Sequence, residues 1–171
     1  MSDTRPDLDR IWAGWRAEYV TRATESHRDG TYTCILCALA DGGEEHLVLA
    51  RNELVFAVMN GYPYNSGHLM VAPVRHVGDL ADLTVDESNA LMAMTRDAVT
   101  AVNAAFSPDG VNVGFNLGAA AGAGVPDHVH GHVLPRWIAD ANFMTTVANT
   151  RVLPEAIDAS YEKLRAVWPE G

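Results

Sequence analysis

The chain has 171 residues, enough for one domain with a sizeable core. Its composition, 48% hydrophobic and 20% charged, is that of a folded globular protein, and no apolar run approaches the length of a membrane span. A net charge of −10 argues against a nucleic-acid polymer as partner, although backbone N–H groups can hold a small phosphate without net positive charge. The polar, acidic start "MSDTRPDLDR" lacks a signal-peptide pattern, so a cytoplasmic location is the expectation.

Leu8, Ile11, Trp12, Trp15 and Tyr19 fall at helical spacing and predict an amphipathic helix over residues 7–20. Cys34 and Cys37 follow in a short loop or turn. Residues 46–51 and 54–60 read as strands joined across Asn52-Glu53, a hairpin-like gap. "GYPYNSG" (61–67) is a turn-rich loop, and "HLMVAPV" (68–74) a third strand. Thr84 with Glu87 forms a capping-box pattern ahead of a helix over 85–106, carried by Leu91, Met94, Ala98 and Val102. "GVNVGFNLG" (110–118) is a fourth strand, "GAAAGAG" (118–124) a small-residue loop, and "HVHGHVLP" (128–135) a fifth strand. Pro154 opens a last helix to about residue 168, with Ile157, Tyr161, Leu164 and Trp168 on one face. This order predicts a single α+β domain over 1–171, with a mainly antiparallel five-stranded sheet, one long helix and flanking N- and C-terminal helices. The glycine loop is no dinucleotide fingerprint, because a strand and not a helix follows it.

Three alternate histidines carry the chemical signal. On a strand, His128, His130 and His132 would share a face, stepping by about 6.6 Å, with Val129 and Val133 on the other side. Such a row can be a solvated sheet face, a metal site, or a nucleophile with its helpers. All three on one ion would strain a strand, since the outer two lie about 13 Å apart. A histidine nucleophile attacking phosphorus would give a phosphoramidate that water or another acceptor then opens.

"HVHGHVLPRW" resembles the histidine-triad motif of the HIT superfamily of nucleotide hydrolases and transferases, with Gly131 small where that motif usually places a hydrophobe. "VFAVMNGYPYNSGHLMVAPVRHVGDLADLT" is similar to the family's first half. "GFNLGAAAGAGVPDHVHGHVLPRW" with "DANFM" resembles the actinobacterial diadenosine-tetraphosphate phosphorylase-like branch, and the likeness covers about residues 30–155. The resemblance implies a HIT-like fold and an enzyme that cleaves the α-phosphate bond of a dinucleoside polyphosphate, or a related nucleoside 5′-phosphoryl compound, through a nucleotidyl-histidine. His130 would be the nucleophile and His132 the donor to the leaving oxygen. Asn116 and the backbone around Gly122 and Gly124 would hold phosphate oxygens, Asn60 would meet the ribose, and His68 would support the triad. A homodimer is also implied.

The same resemblance gives the cysteines partners. In zinc-bearing relatives two cysteines combine with two histidines, here His76 and His128. Cys34, Cys37, His76 and His128 would form a closed, structural zinc site, turning His128 away from the substrate. Buried thiols and a surface histidine are the plainer alternative. Arg136 could meet a distal phosphate or lie solvated. Trp12, Trp15 and Trp168 read as packing. Two other functions fit the same residues: a non-catalytic nucleotide sensor, and a hydrolase dedicated to a nucleotide-linked metabolite.

Overall fold

The structure is a computed structural model that describes residues 34–42, 47–138, 140 and 155–169. The helix expected over 7–20, with Trp12 and Trp15, lies outside the described residues. The described elements are α1 (Ile35–Ala40), β1 (Val48–Arg51), β2 (Val55–Met59), β3 (Leu69–Pro73), α2 (Val85–Phe106), β4 (Gly110–Phe115), β5 (Gly131–Arg136) and α3 (Ile157–Ala166). The five strands form one sheet in the order β1-β2-β3-β5-β4, with every neighbouring pair antiparallel. The expected α+β architecture is therefore present.

Local chemistry sets the element boundaries. Asn52 closes the β1–β2 turn by accepting from the N–H groups of Leu54 and Val55, both at 2.9 Å. The capping box at Thr84 is formed in both directions, and α2 spans the predicted residues. The same Glu87 carboxylate takes a bidentate pair from Arg75 at 2.7 and 2.8 Å. That pair, with the Thr84 N–H, holds its pKa down to about 2.

Alternation along the strands divides the core into two layers. Val55, Ala57, Met59, Leu69, Val71 and Val133 face Leu91, Met94, Ala98, Ala101 and Val102 of α2 and Leu164 of α3. Phe56, Val58 and Ala72 face the other way, against Cys34, Leu36 and Ala40. β2 is thus buried on both faces, which its run of apolar residues requires.

Two expectations are corrected here. The cysteines do not sit in a simple loop: Cys34 is the N-cap of α1 and Cys37 lies on its helical turns, because "ILCALA" supplies helix-forming residues. The last strand does not begin at His128. β5 starts at Gly131, and the chain before it follows a different partner, with the Val129 N–H on the Val77 carbonyl at 2.7 Å.

Candidate active site and metal centre

The departure from strand geometry ahead of Gly131 sends His128 one way and leaves His130 and His132 together. His128 turns into a cluster with Cys34, Cys37 and His76, whose ligand atoms all lie within 4.8 Å of one another. Cys34 Sγ is 3.3 Å and Cys37 Sγ 3.5 Å from His128 Nδ1, and Cys37 Sγ is 3.2 Å from His76 Nδ1. A tetrahedral zinc with ordinary bond lengths sets sulfur and nitrogen about 3.5 Å apart, and these three sulfur–nitrogen separations fit that ion. The outer side of the site fits as well. His128 Nε2 donates to the Pro73 carbonyl at 2.8 Å, which leaves Nδ1 as the lone pair aimed at the sulfurs. Burial lowers the His128 pKa and keeps the ring in the neutral, ligating form. Desolvation and the neighbouring Cys34 push the Cys37 thiol up to about 11. A bound divalent cation would offset that penalty by stabilising the Cys37 thiolate. A bound zinc would supply structural cross-linking between α1, the segment after β3 and the segment before β5, with no open coordination position.

His130 and His132 stay together, ring centroids 5.1 Å apart and nearly perpendicular. His132 lies opposite Met70 on β3, on the sheet face away from α2. His130 Nδ1 donates to the His128 carbonyl at 2.7 Å. Its Nε2 therefore carries the free lone pair. Desolvation lowers the His130 pKa, partly opposed by that bond, so the ring stays neutral at physiological pH.

A second chain of hydrogen bonds assigns the tautomer of His132. The backbone N–H of Tyr64, which can only donate, meets His68 Nδ1 at 3.0 Å. Asn60 Nδ2 approaches the same nitrogen at 3.3 Å, while Asn60 Oδ1 accepts from the Tyr62 N–H at 2.9 Å. Neutral His68 then carries its hydrogen on Nε2 and donates it to His132 Nδ1, 3.0 Å away. His132 in turn presents Nε2–H outward. Burial, with the neighbouring His130, lowers the His132 pKa to about 4. One imidazole thus offers a lone pair and the next offers a proton.

The remaining expected residues fall as follows. The Asn116 amide lies 3.5 Å from His132 Nε2, and with a hydrogen on that nitrogen the amide presents Oδ1 to it as acceptor. Asn60 is half-buried, with its amide nitrogen turned to His68. Gly122 adopts φ 90°, which favours glycine, and its N–H closes the loop on the Ala119 carbonyl at 2.9 Å. Gly124 is half-buried two residues on. Arg136 is held by Asp140 at 2.6 and 2.7 Å and by Asn112 at 2.8 Å. Trp168 packs against the α2 core.

Sequence reasoning passed over Tyr64, Asn65 and Asp140. The Tyr64 ring stacks on His132 at 5.8 Å and tilts against His68 at 4.7 Å. The signal available for the first two was an aromatic and an amide one residue short of Gly67-His68.

This fold and this pairing of histidines define a histidine-triad protein: the HIT domain profile matches residues 42–137, and the chain belongs to the HIT family. Over 168 residues it is 40% identical to the AP-4-A phosphorylase of Mycobacterium tuberculosis, covering 96% of this chain and 86% of that one. It is 39% identical over 93 residues to the Schizosaccharomyces pombe bis(5′-nucleosyl)-tetraphosphatase [asymmetrical], covering 54% and 50% of the two chains. A Zn-bound histidine triad family protein from Mycobacterium smegmatis superposes with a TM-score of 0.66 at 26% identity, covering 81% of this chain and 95% of that one.

Proposed function

We propose that the protein cleaves the α-phosphate bond of a dinucleoside polyphosphate, or of a related nucleoside 5′-phosphoryl compound, through a nucleotidyl-His130 intermediate. The observation that carries this reading is the hydrogen-bond pattern of the pair, with His130 Nδ1 on the His128 carbonyl at 2.7 Å and His132 Nδ1 on His68 Nε2 at 3.0 Å. His130 Nε2 attacks the α-phosphorus and forms a P–N bond while the bridging P–O bond breaks. His132 Nε2–H donates a hydrogen bond to the departing oxygen as its charge grows. Water or inorganic phosphate then opens the P–N bond and returns His130 to its starting state. Asn116 and the loop carrying Gly122 and Gly124 face the phosphate oxygens, and Asn60 lies toward the ribose. Relatives bearing the names AP-4-A phosphorylase and tetraphosphatase support both acceptors.

The protein acts as a homodimer. β4 is an edge strand among the described residues, bonded to β5 alone, and Val113 on it is 48% exposed. Pairing of that edge between copies would cover it. A cytoplasmic location accords with the sequence, and no helix among the described residues is long and apolar enough to cross a membrane.

A substrate panel of dinucleoside polyphosphates, run with and without inorganic phosphate and with products identified, tests the reading. Nucleoside diphosphate formed only with phosphate marks a phosphorylase; nucleoside monophosphate in both marks a hydrolase. Tight nucleotide binding without turnover would overturn the enzyme reading in favour of a sensor.

A further inference from the structure

The His68–His132 contact links β5 to the segment just before β3, and His68 sits at the end of a nine-residue excursion, residues 60–68, from β2. Something must hold that excursion against β5. Asn65 is placed to do it. One hydrogen of its Nδ2 points to the Pro135 carbonyl at 3.3 Å and the other to Asp140 Oδ2 at 3.1 Å. Its own backbone carbonyl accepts the His68 N–H at 3.2 Å. The preceding residue, Tyr64, supplies the N–H on His68 Nδ1. Asp140 is itself fixed by Arg136 and by the Trp137 N–H at 3.2 Å, so the anchor belongs to the end of β5. Arg136 and Asn65 hold its carboxylate ionised, with a pKa of about 2.

We infer that Asn65 is a positioning residue: clamped between Pro135 O and Asp140 on one side and His68 N–H on the other, it holds His68 against His132 and so assigns the proton that His132 presents. The inference rests on the proposed role of His132 as donor. The chemistry of the clamp demands an amide. Both partners at the end of β5 are acceptors, so position 65 must bring two hydrogens on one short side chain. Aspartate is nearly the same size, brings none, and adds a charge facing Asp140.

The test compares Asn65→Asp, Asn65→Ala and the swap Asn65→Asp with Asp140→Asn. Two readouts apply: histidine ring nitrogen NMR of the full chain, and kcat/KM for phenyl and 4-nitrophenyl esters of a nucleoside 5′-monophosphate. Asn65→Asp is expected to lose the single tautomers of His68 and His132. Misplacement of this kind costs on the order of 100-fold on the phenyl ester, which needs protonation, and far less on the 4-nitrophenyl ester. Asn65→Ala should show the same selectivity, smaller in size. In the swap, the amide moved to position 140 can donate to the carboxylate moved to position 65 while Pro135 O stays unpaired, so part of both losses returns. Equal losses on the two esters, unchanged tautomers in Asn65→Asp, or a swap no better than that single variant would overturn the clamp. Should the unaltered protein cleave neither ester nor a dinucleoside polyphosphate, the enzyme reading fails, and the NMR spectra alone still decide the clamp.

Discussion

Gly131 lies directly across the sheet from Phe115, and the Phe115 ring occupies the space a side chain at 131 would take. A Cβ built there meets two ring atoms at 2.9 Å. The exception in the triad pattern is therefore a packing decision: the ring covers the glycine, and the strand between His130 and His132 stays pressed on β4. Gly131→Val should destabilise the fold by about 1–3 kcal/mol, the usual penalty of overpacking. Phe115→Ala on the same chain should return part of it, because the two changes share one space. Urea unfolding of the single and double variants measures this, and strictly additive effects would show that the ring is not the obstacle.

Carefully purified protein should contain about one zinc per chain, and its removal should lower the melting temperature. Cys34→Ala ought to lower it too, because Cys34 Sγ and His128 Nδ1 stand 3.3 Å apart at the join between α1 and the segment before β5. Elemental analysis well below one zinc, together with an unchanged melt for the variant, would remove the metal from the account.

His130→Ala is expected to abolish turnover and any trapped nucleotidyl adduct, since the variant loses the ring nitrogen that forms the P–N bond. His132→Ala should hurt poor leaving groups most. Mass spectrometry of rapidly quenched reactions reads the adduct. Near-normal cleavage by His130→Ala would end the histidine-nucleophile reading.

Asn116→Ala should lower kcat more than it raises KM, with a loss of about 2.7–4 kcal/mol if its amide faces an oxygen whose charge grows in the transition state. Steady-state kinetics separate the two parameters. A rise in KM at constant kcat would show uniform binding instead.

Stability should fall as pH drops from 6.5 toward 4. His132 is held neutral to about pH 4 by burial and by His130, with His68 on its other nitrogen, whereas the unfolded chain takes up that proton near 6.5. Between those values the unfolded state binds more protons, so stability rises with pH. The carboxylates of Glu87 and Asp140, with pKa values of about 2, act in a lower window, where stability is lost as pH falls through about 4 toward 2. Denaturant midpoints at pH 7 and pH 5 measure the upper window. His132→Asn should flatten that slope; a variant with the slope intact would assign it to other groups.

Periodicity placed the first four strands and the long helix in the sequence, because burial on one or both faces dictates where apolar residues recur, whereas β5 starts three residues later than its alternation implies. α2 matches from its cap to its end since Thr84 and Glu87 are local neighbours whose bonds need no distant partner. The triad and the C-x-x-C pair were legible for the same reason, as short patterns of reactive side chains. Spacing alone could not divide the three histidines, and a regular strand would have aimed them all one way. Their division is tertiary: Val129 follows Val77 instead of continuing the strand, which frees His128 for Cys34 and Cys37. Equally invisible were the ring of Phe115 over Gly131 and the hold of Asp140 on Asn65, 75 residues apart. Contacts between residues so far separated along the chain depend on strand order and register, and these arise only when the sheet assembles around its core.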